Sequence, residues 1–198
     1  GKNKLNDGQF EKLLAACLLS TMFMNAGNFG LSVVLFAFGE NSLAYSSLFF
    51  VTSSVMINTV GVIIASLGSA NLRQALVSFL KLPAVYSLAL GFVFLETGWI
   101  LPAPVERATQ VLGNAAIPGM LVLLGMQLQI VRWKGFGAPL TMVNVLRLVV
   151  SPLIAIGLAR VFNLNGHALQ AGVLESAMPS AVLNIVVATE FDARPEFV

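Results

Sequence analysis

Asn25-Ala26-Gly27-Asn28-Phe29-Gly30-Leu31-Ser32 stands in the middle of an apolar run, residues 13–38. A helix facing lipid has no use for two asparagines and two glycines there. Each asparagine costs desolvation unless it finds partners, and glycine at this density loosens a helix. At membrane depth, irregular or polar backbone is tolerated only where it is buried in protein or lines a cavity. A second interruption, Glu175-Ser176-Ala177-Met178-Pro179-Ser180-Ala181-Val182-Leu183-Asn184, lies inside another apolar run near the other end of the chain. Two broken hydrophobic segments in one membrane chain point to the binding site of a transporter.

Composition sets the class. The chain has 198 residues, 57% hydrophobic and 10% charged, and its mean hydropathy is +0.86. Soluble domains carry roughly 25% charged residues, so this is an integral membrane protein. No basic stripe with interleaved aromatics is present, which argues against nucleic acid as a partner. The single cysteine, Cys17, excludes an internal disulfide and a multi-cysteine metal site; it reads as a small core residue. His167 lies in the polar turn Asn163-Leu164-Asn165-Gly166-His167 and reads as a solvated loop residue, with no second histidine for a metal pair. No metal or cofactor is expected. The chain opens on Gly1, which points to an interior or processed segment. Lys2, Lys4 and Lys12 before an apolar run resemble the start of a signal peptide. The run continues without a small-residue cleavage site, so it is read as a membrane helix.

Six apolar segments, 13–38, 43–67, 79–101, 108–131, 138–161 and 168–191, are each near the ~20 residues that span a bilayer. The first carries the Asn/Gly break, and the second has Asn58 as its one strongly polar residue. In the third, Lys81 and Glu96 can snorkel to the interface, and Pro83 suits a first helical turn. The fourth carries Asn114 and Pro118, the fifth Arg147 and Pro152, the sixth Glu175 and Pro179. Short connections make this a single bundle over 1–198. If the segments alternate, Lys2, Lys4, Lys12, Arg73, Lys81, Arg132, Lys134 and Arg194 collect on one side, and only Arg107 and Arg160 on the other. The positive-inside rule makes the first side cytoplasmic. Both ends of the chain are then cytoplasmic, and the two broken helices run in opposite directions, as an inverted repeat requires.

Pro179 has no amide hydrogen and disfavours helix in the residue before it. It frees carbonyls about one turn back, near Glu175 and Ser176, and these need polar partners. A half-helix starting at Ser180 would point its exposed amides into the bilayer centre. The Gly30-Leu31-Ser32 end of the first break could do the same. Two such ends converging make an anion site without a formal positive side chain; the alternative is a pair of kinked helices with satisfied polar groups, and two breaks together favour the site. Glu175 and Arg147 are the ionisable residues deepest in apolar sequence. On neighbouring segments they could pair, either as a salt bridge that fixes packing or as a proton or substrate relay. Asn58, Asn114 and Asn144 read as interhelical hydrogen bonds. Catalysis finds little support: there is no Gly-x-Ser-x-Gly, no His-Glu-x-x-His and no Walker A sequence, and the two aspartates, Asp7 and Asp192, lie in the tails.

Asn25-Ala26-Gly27-Asn28-Phe29-Gly30-Leu31 resembles the G-N-x-G-L-P segment of the auxin efflux carrier family. Glu175 through Val182 resembles that family's second crossover, and Ala116-Ile117-Pro118-Gly119-Met120 through Leu124-Gly125 resembles its I-P-x-x-x-x-x-L-G helix. The resemblance covers most of the chain in the right order. It implies ten transmembrane helices in two inverted five-helix repeats, related to the bile-acid symporter fold. This chain would then correspond to helices four through nine and be incomplete. It also implies a homodimer working by an elevator motion, with the third and fourth segments in the scaffold and the others in the moving unit. The family usually has proline where this chain has Ser32, so the first break would rely on Gly27 and Gly30.

The expectation is therefore an all-α polytopic permease of the cell membrane, not an enzyme, exporting small organic anions such as carboxylates. Asn25, Asn28 and Ser32 would meet Pro179, Ser180 and Asn184 near the midplane. Backbone amides would bind the carboxylate, with Glu175 as the proton-responsive group. Two rival readings stay open: a sodium-coupled anion symporter, and a membrane sensor that binds the anion without flux.

Overall fold

The computed structural model describes residues 7–66, 83–129 and 137–198. Among these residues the fold is all-α. Helix α1 is Asp7–Met22. After the first break, a π-helical turn, Ala26–Leu31, runs directly into α2, Ser32–Phe38. Gly39, at φ +77, turns the chain into α3, Glu40–Met56, a reversal that a residue with a Cβ would resist. A second π-helical turn, Ile57–Gly61, joins α3 to the short α4, Val62–Ala65. Then come α5, Pro83–Thr97, and α6, Ala103–Leu128. Helix α7, Ala138–Val145, passes through a third π-helical turn, Leu146–Val150, into α8, Ser151–Val161. The last elements are α9, Gly166–Ser176, and α10, Val182–Glu190.

Among the described residues, three continuous helical stretches are long and apolar enough to cross a membrane: Glu40–Ala65, Ala103–Met126 and Ala138–Val161, with mean hydropathies of 2.0, 1.4 and 2.0. Helix α6 begins five residues before the expected 108, because the Pro102 carbonyl accepts the amides of Val105 and Glu106 and starts the helix there. Arg107, expected in a loop, therefore lies inside the helix, just past its first turn. Of the cations behind the orientation argument, Lys2, Lys4, Arg73, Lys81, Arg132 and Lys134 lie outside the described residues, as do residues 79–82 of the third expected segment.

The surface has the character of a protein solvated by lipid. Phe92 on α5, Val111, Leu112 and Val122 on α6, and Leu153 and Ile154 on α8 are all exposed. Water would penalise this at about 25 cal/mol per Å2, whereas lipid tails are as apolar as leucine. Helix α1 shows both solvents in one element. Phe10, Leu14, Leu18 and Met22, four residues apart, form an exposed stripe, while Ala15, Ala16, Leu19 and Ser20 face inward. The core joins that inner face to Ile57, Val62 and Ala65 around the second π-helical turn, and to Val187 and Ala188 of α10. Phe197 packs beside Ala16 and Val143, and Lys12 pairs with Asp192, so the residues after α10 are tied back onto α1 and α7. Helix α3 packs along α9 and against the first π-helical turn, which α6 also touches.

Candidate functional site

The two broken segments cross. Met24 and Ser180 face each other in an isolated antiparallel bridge. The Asn25 amide donates to the Pro179 carbonyl at 2.8 Å, and the Ala181 amide donates to the Phe23 carbonyl at 3.0 Å. Backbone groups that leave a helix within a bilayer must be satisfied inside the protein, and here each break satisfies the other. Pro179 has no amide to place, so its position in the crossing costs no donor.

Around the crossing, one cavity of about 100 Å3 is lined by both half-helix starts: Asn25 to Asn28 from the first break and Ala181 to Leu183 from the second. Phe50, Ser53, Ser54 and Ile57 of the α3 stretch complete the wall. The π-helical turn approaches α3 so closely that a Cβ at Gly27 would lie 2.7 Å from the Phe50 ring. The first amides of a helix have no intrahelical acceptor and carry partial positive charge. Two such ends therefore share one cavity. The first half-helix begins at Ala26, four residues earlier than the expected Gly30 end, because the π-helical turn continues unbroken into α2; the second begins at Val182, not Ser180.

Of the residues expected at the site, Asn25 and Asn28 line the cavity. Ser32 does not: it is buried and its hydroxyl donates to the Asn28 carbonyl of its own turn at 3.4 Å. Pro179 and Ser180 form the crossing. Asn184 is fully buried, and its amide nitrogen reaches the Leu19 and Phe23 carbonyls at 3.0 Å each and the Ser180 hydroxyl at 2.9 Å. It holds the end of α1 onto the second break. Glu175 does not line that cavity. Its side chain is 0% exposed, Ser46 donates to Oε1, and Oε2 has no partner among the described residues. Gly30 makes room for it: a Cβ there would fall 2.1 Å from Oε2.

Arg147 does not pair with Glu175. Its Nε donates to the Met178 carbonyl at 3.0 Å, Nη1 to Thr21 at 2.8 Å and Nη2 to Ser176 at 3.1 Å. The physical reason is the one proline creates: carbonyls released before Pro179 and at the end of α1 need donors, and a guanidinium presents five in a fixed fork. Asn58 bonds the Ser54 carbonyl of its own helix, and Asn114 and Asn144 are exposed; none of the three bridges helices as expected. His167 opens α9, with Nδ1 2.9 Å from the buried Ser42 hydroxyl, and is not a free loop residue. Sequence reasoning missed Ser46 and Ser53. Their signal was the spacing Ser42, Ser46, Ser53, which places three hydroxyls on one face of α3.

Crossed, broken helices in an all-α bundle with lipid-facing apolar surfaces define a multi-pass membrane transport protein. A model described as "Membrane transport protein" matches residues 67–197, more than half of the chain, and the chain belongs to that family, the auxin efflux carriers. It is 28% identical over 183 residues to an uncharacterized transporter of Methanothermobacter thermautotrophicus, covering 91% of this chain and 59% of the relative. It is 27% identical over 190 residues to an uncharacterized transporter of Methanocaldococcus jannaschii, covering 92% of this chain and 60% of the relative. The chain thus spans less than two thirds of the length of these curated relatives. No solved structure matches it.

Proposed function

We propose that the protein is a secondary carrier of small organic anions, carboxylates first among them, in the cell membrane. The observation that carries this reading is the single cavity shared by two half-helix N-termini. Its size suits a carboxylate head better than a drug-sized ligand, for which sites run to roughly 300 Å3 or more. Backbone amides at Gly27–Phe29 and Val182–Leu183 would bind the anion, Asn25 and Asn28 would orient it, and Ser53 and Ser54 would complete its hydrogen bonds. Glu175, buried with one free oxygen, is the group we assign to coupling with protons. Six spans, an inverted-repeat bundle, an elevator motion and a homodimer belong to the same reading, as do cytoplasmic ends.

Tracer flux in proteoliposomes containing the full-length protein tests it, with labelled malate, unlabelled carboxylate competitors, and imposed proton or sodium gradients. Saturable, competed flux is expected. Pro179→Ala and Asn28→Ala are each expected to lower it by about tenfold or more, since small misplacement of binding groups is costly, while folded yield changes little. Equal loss of flux and folded protein sinks the site assignment. Flux driven by sodium and indifferent to protons would replace Glu175's proton role with a cation-symport reading. Binding without flux would make the protein a sensor.

A further inference from the structure

Arg147 is 3% exposed and does not line the cavity between the half-helices, so it is not a direct ligand. Its partners are nevertheless specific. Thr21 belongs to the last turn of α1, Ser176 is the last residue of α9, and Met178 lies two residues beyond it. Both are the C-terminal, negatively polarised ends of the half-helices that lead into the crossing. One guanidinium thus gathers both negative ends. The opposite halves, beginning at Ala26 and Val182, present their positive ends to the cavity. The third π-helical turn is the local device behind this placement. π-turns are rare and frequently sit at functional sites; here Arg147 is buried while its neighbours Leu148 and Val149 are exposed.

We infer that Arg147 is the positioning residue of the crossover: it clamps the C-terminal ends of both leading half-helices, and thereby sets the affinity of the cavity for anions. This rests on the carrier reading above. The clamp acts in two ways. It fixes where the two breaks meet, and it neutralises the half-helix ends whose partial negative charge would oppose an anion nearby. A formal charge in a low-dielectric setting acts over a longer range than in water. Neither action requires contact with the substrate.

The test uses the full-length protein and two variants. Arg147→Lys keeps the charge with three donors in place of five, and Arg147→Gln keeps two donors without the charge. In one arm, carboxylate flux is measured across concentrations. Arg147→Gln is expected to raise KM about tenfold with a smaller change in maximal rate, the split that marks lost binding rather than lost protein, and Arg147→Lys to recover part of the difference. The second arm needs no transport. Met24→Cys and Ser180→Cys, in a Cys17→Ser background, place two thiols across the antiparallel bridge, within disulfide reach. Oxidative cross-linking of the detergent-purified, folded protein is expected to slow about fivefold in Arg147→Gln and less in Arg147→Lys. Unchanged cross-linking in both variants overturns the clamp, and so does an unchanged KM where flux is measurable. Absence of carboxylate flux in the unsubstituted protein overturns the carrier reading instead, and the cross-linking arm then decides the clamp by itself. Should Arg147→Gln fail to fold, Arg147→Lys carries both arms.

Discussion

Gly30→Ala will destabilise the fold and abolish carboxylate flux, and a second substitution at Glu175 will restore the stability alone. An added methyl at Gly30 lies 2.1 Å from Glu175 Oε2 and 2.6 Å from both the carboxyl carbon and Oε1. Alanine brings one compensating gain, a helix propensity advantage of about 1 kcal/mol over glycine. Overpacking a filled site costs about 1–3 kcal/mol. The usual escape, swinging a flexible side chain aside, is closed here. The carboxyl is fully buried and accepts from Ser46, so moving it gives up a buried hydrogen bond worth roughly 0.5–1.5 kcal/mol. The losses outweigh the gain. Glu175→Ala removes the group the methyl strikes, so Gly30→Ala/Glu175→Ala should unfold at a higher temperature than Gly30→Ala. The coupling between the sites is expected at about 1–3 kcal/mol. Flux will not return, because the buried carboxyl is gone. Thermal unfolding in detergent and proteoliposome flux, run on the same preparations, decide the matter. Additive stability effects would mean that Gly30 is needed for its backbone and not for the room it leaves Glu175.

The contact between Gly30 and Glu175 is not legible in the sequence. Gly30 was legible as a break because glycine and asparagine are out of place in an apolar run, and Pro179 was legible because proline removes a backbone donor wherever it stands. Both depend on local chemistry. What faced Gly30 was a matter of packing. Serines in a membrane helix carry little positional information, since they satisfy themselves on the preceding turn, as Ser47 does on Leu43 and Thr52 on Leu48. Spacing puts Ser46 on one face of α3 with Ser42 and Ser53, but only the geometry shows that it reaches across to Glu175 on another helix. Pairing Arg147 with Glu175 followed from counting side-chain charges. The released carbonyls of Thr21, Ser176 and Met178 outcompeted the carboxylate, and backbone acceptors have no letter in the sequence. The offset of the first half-helix to Ala26 has a similar cause. The π-helical turn lets the helix begin inside the glycine-rich stretch, with the Gly30 amide on the Asn25 carbonyl, where a tighter helix period would place the start later.

Asn184→Asp is expected to be the most damaging single substitution in the crossing, worse than Asn184→Ala. Asn184 is fully buried, and its amide nitrogen has two hydrogens for three acceptors: Leu19 O, Phe23 O and Ser180 Oγ. Those carbonyls each have one backbone donor besides, from Phe23 and Ala181 respectively. Alanine therefore leaves them under-satisfied and not bare, at a cost of about 1–3 kcal/mol. Aspartate changes the sign of the contact. Its second oxygen replaces the donor, and a buried carboxylate then faces two carbonyl oxygens with no cation among the described contacts. The penalty for such a charge is several kcal/mol. The Oδ1 side offers no relief, since that atom has no partner even in the native residue. A protonated aspartic acid, by contrast, can donate to one of the three acceptors. The uncharged form is thus the one that fits the fold, so the stability of Asn184→Asp should fall as pH rises, while that of Asn184→Ala stays flat. Folded yield and cross-linking of the Met24→Cys/Ser180→Cys pair at low and high pH read both consequences. Identical behaviour of the two variants would show that Asn184 fills space at the crossing and does not hold it by hydrogen bonds.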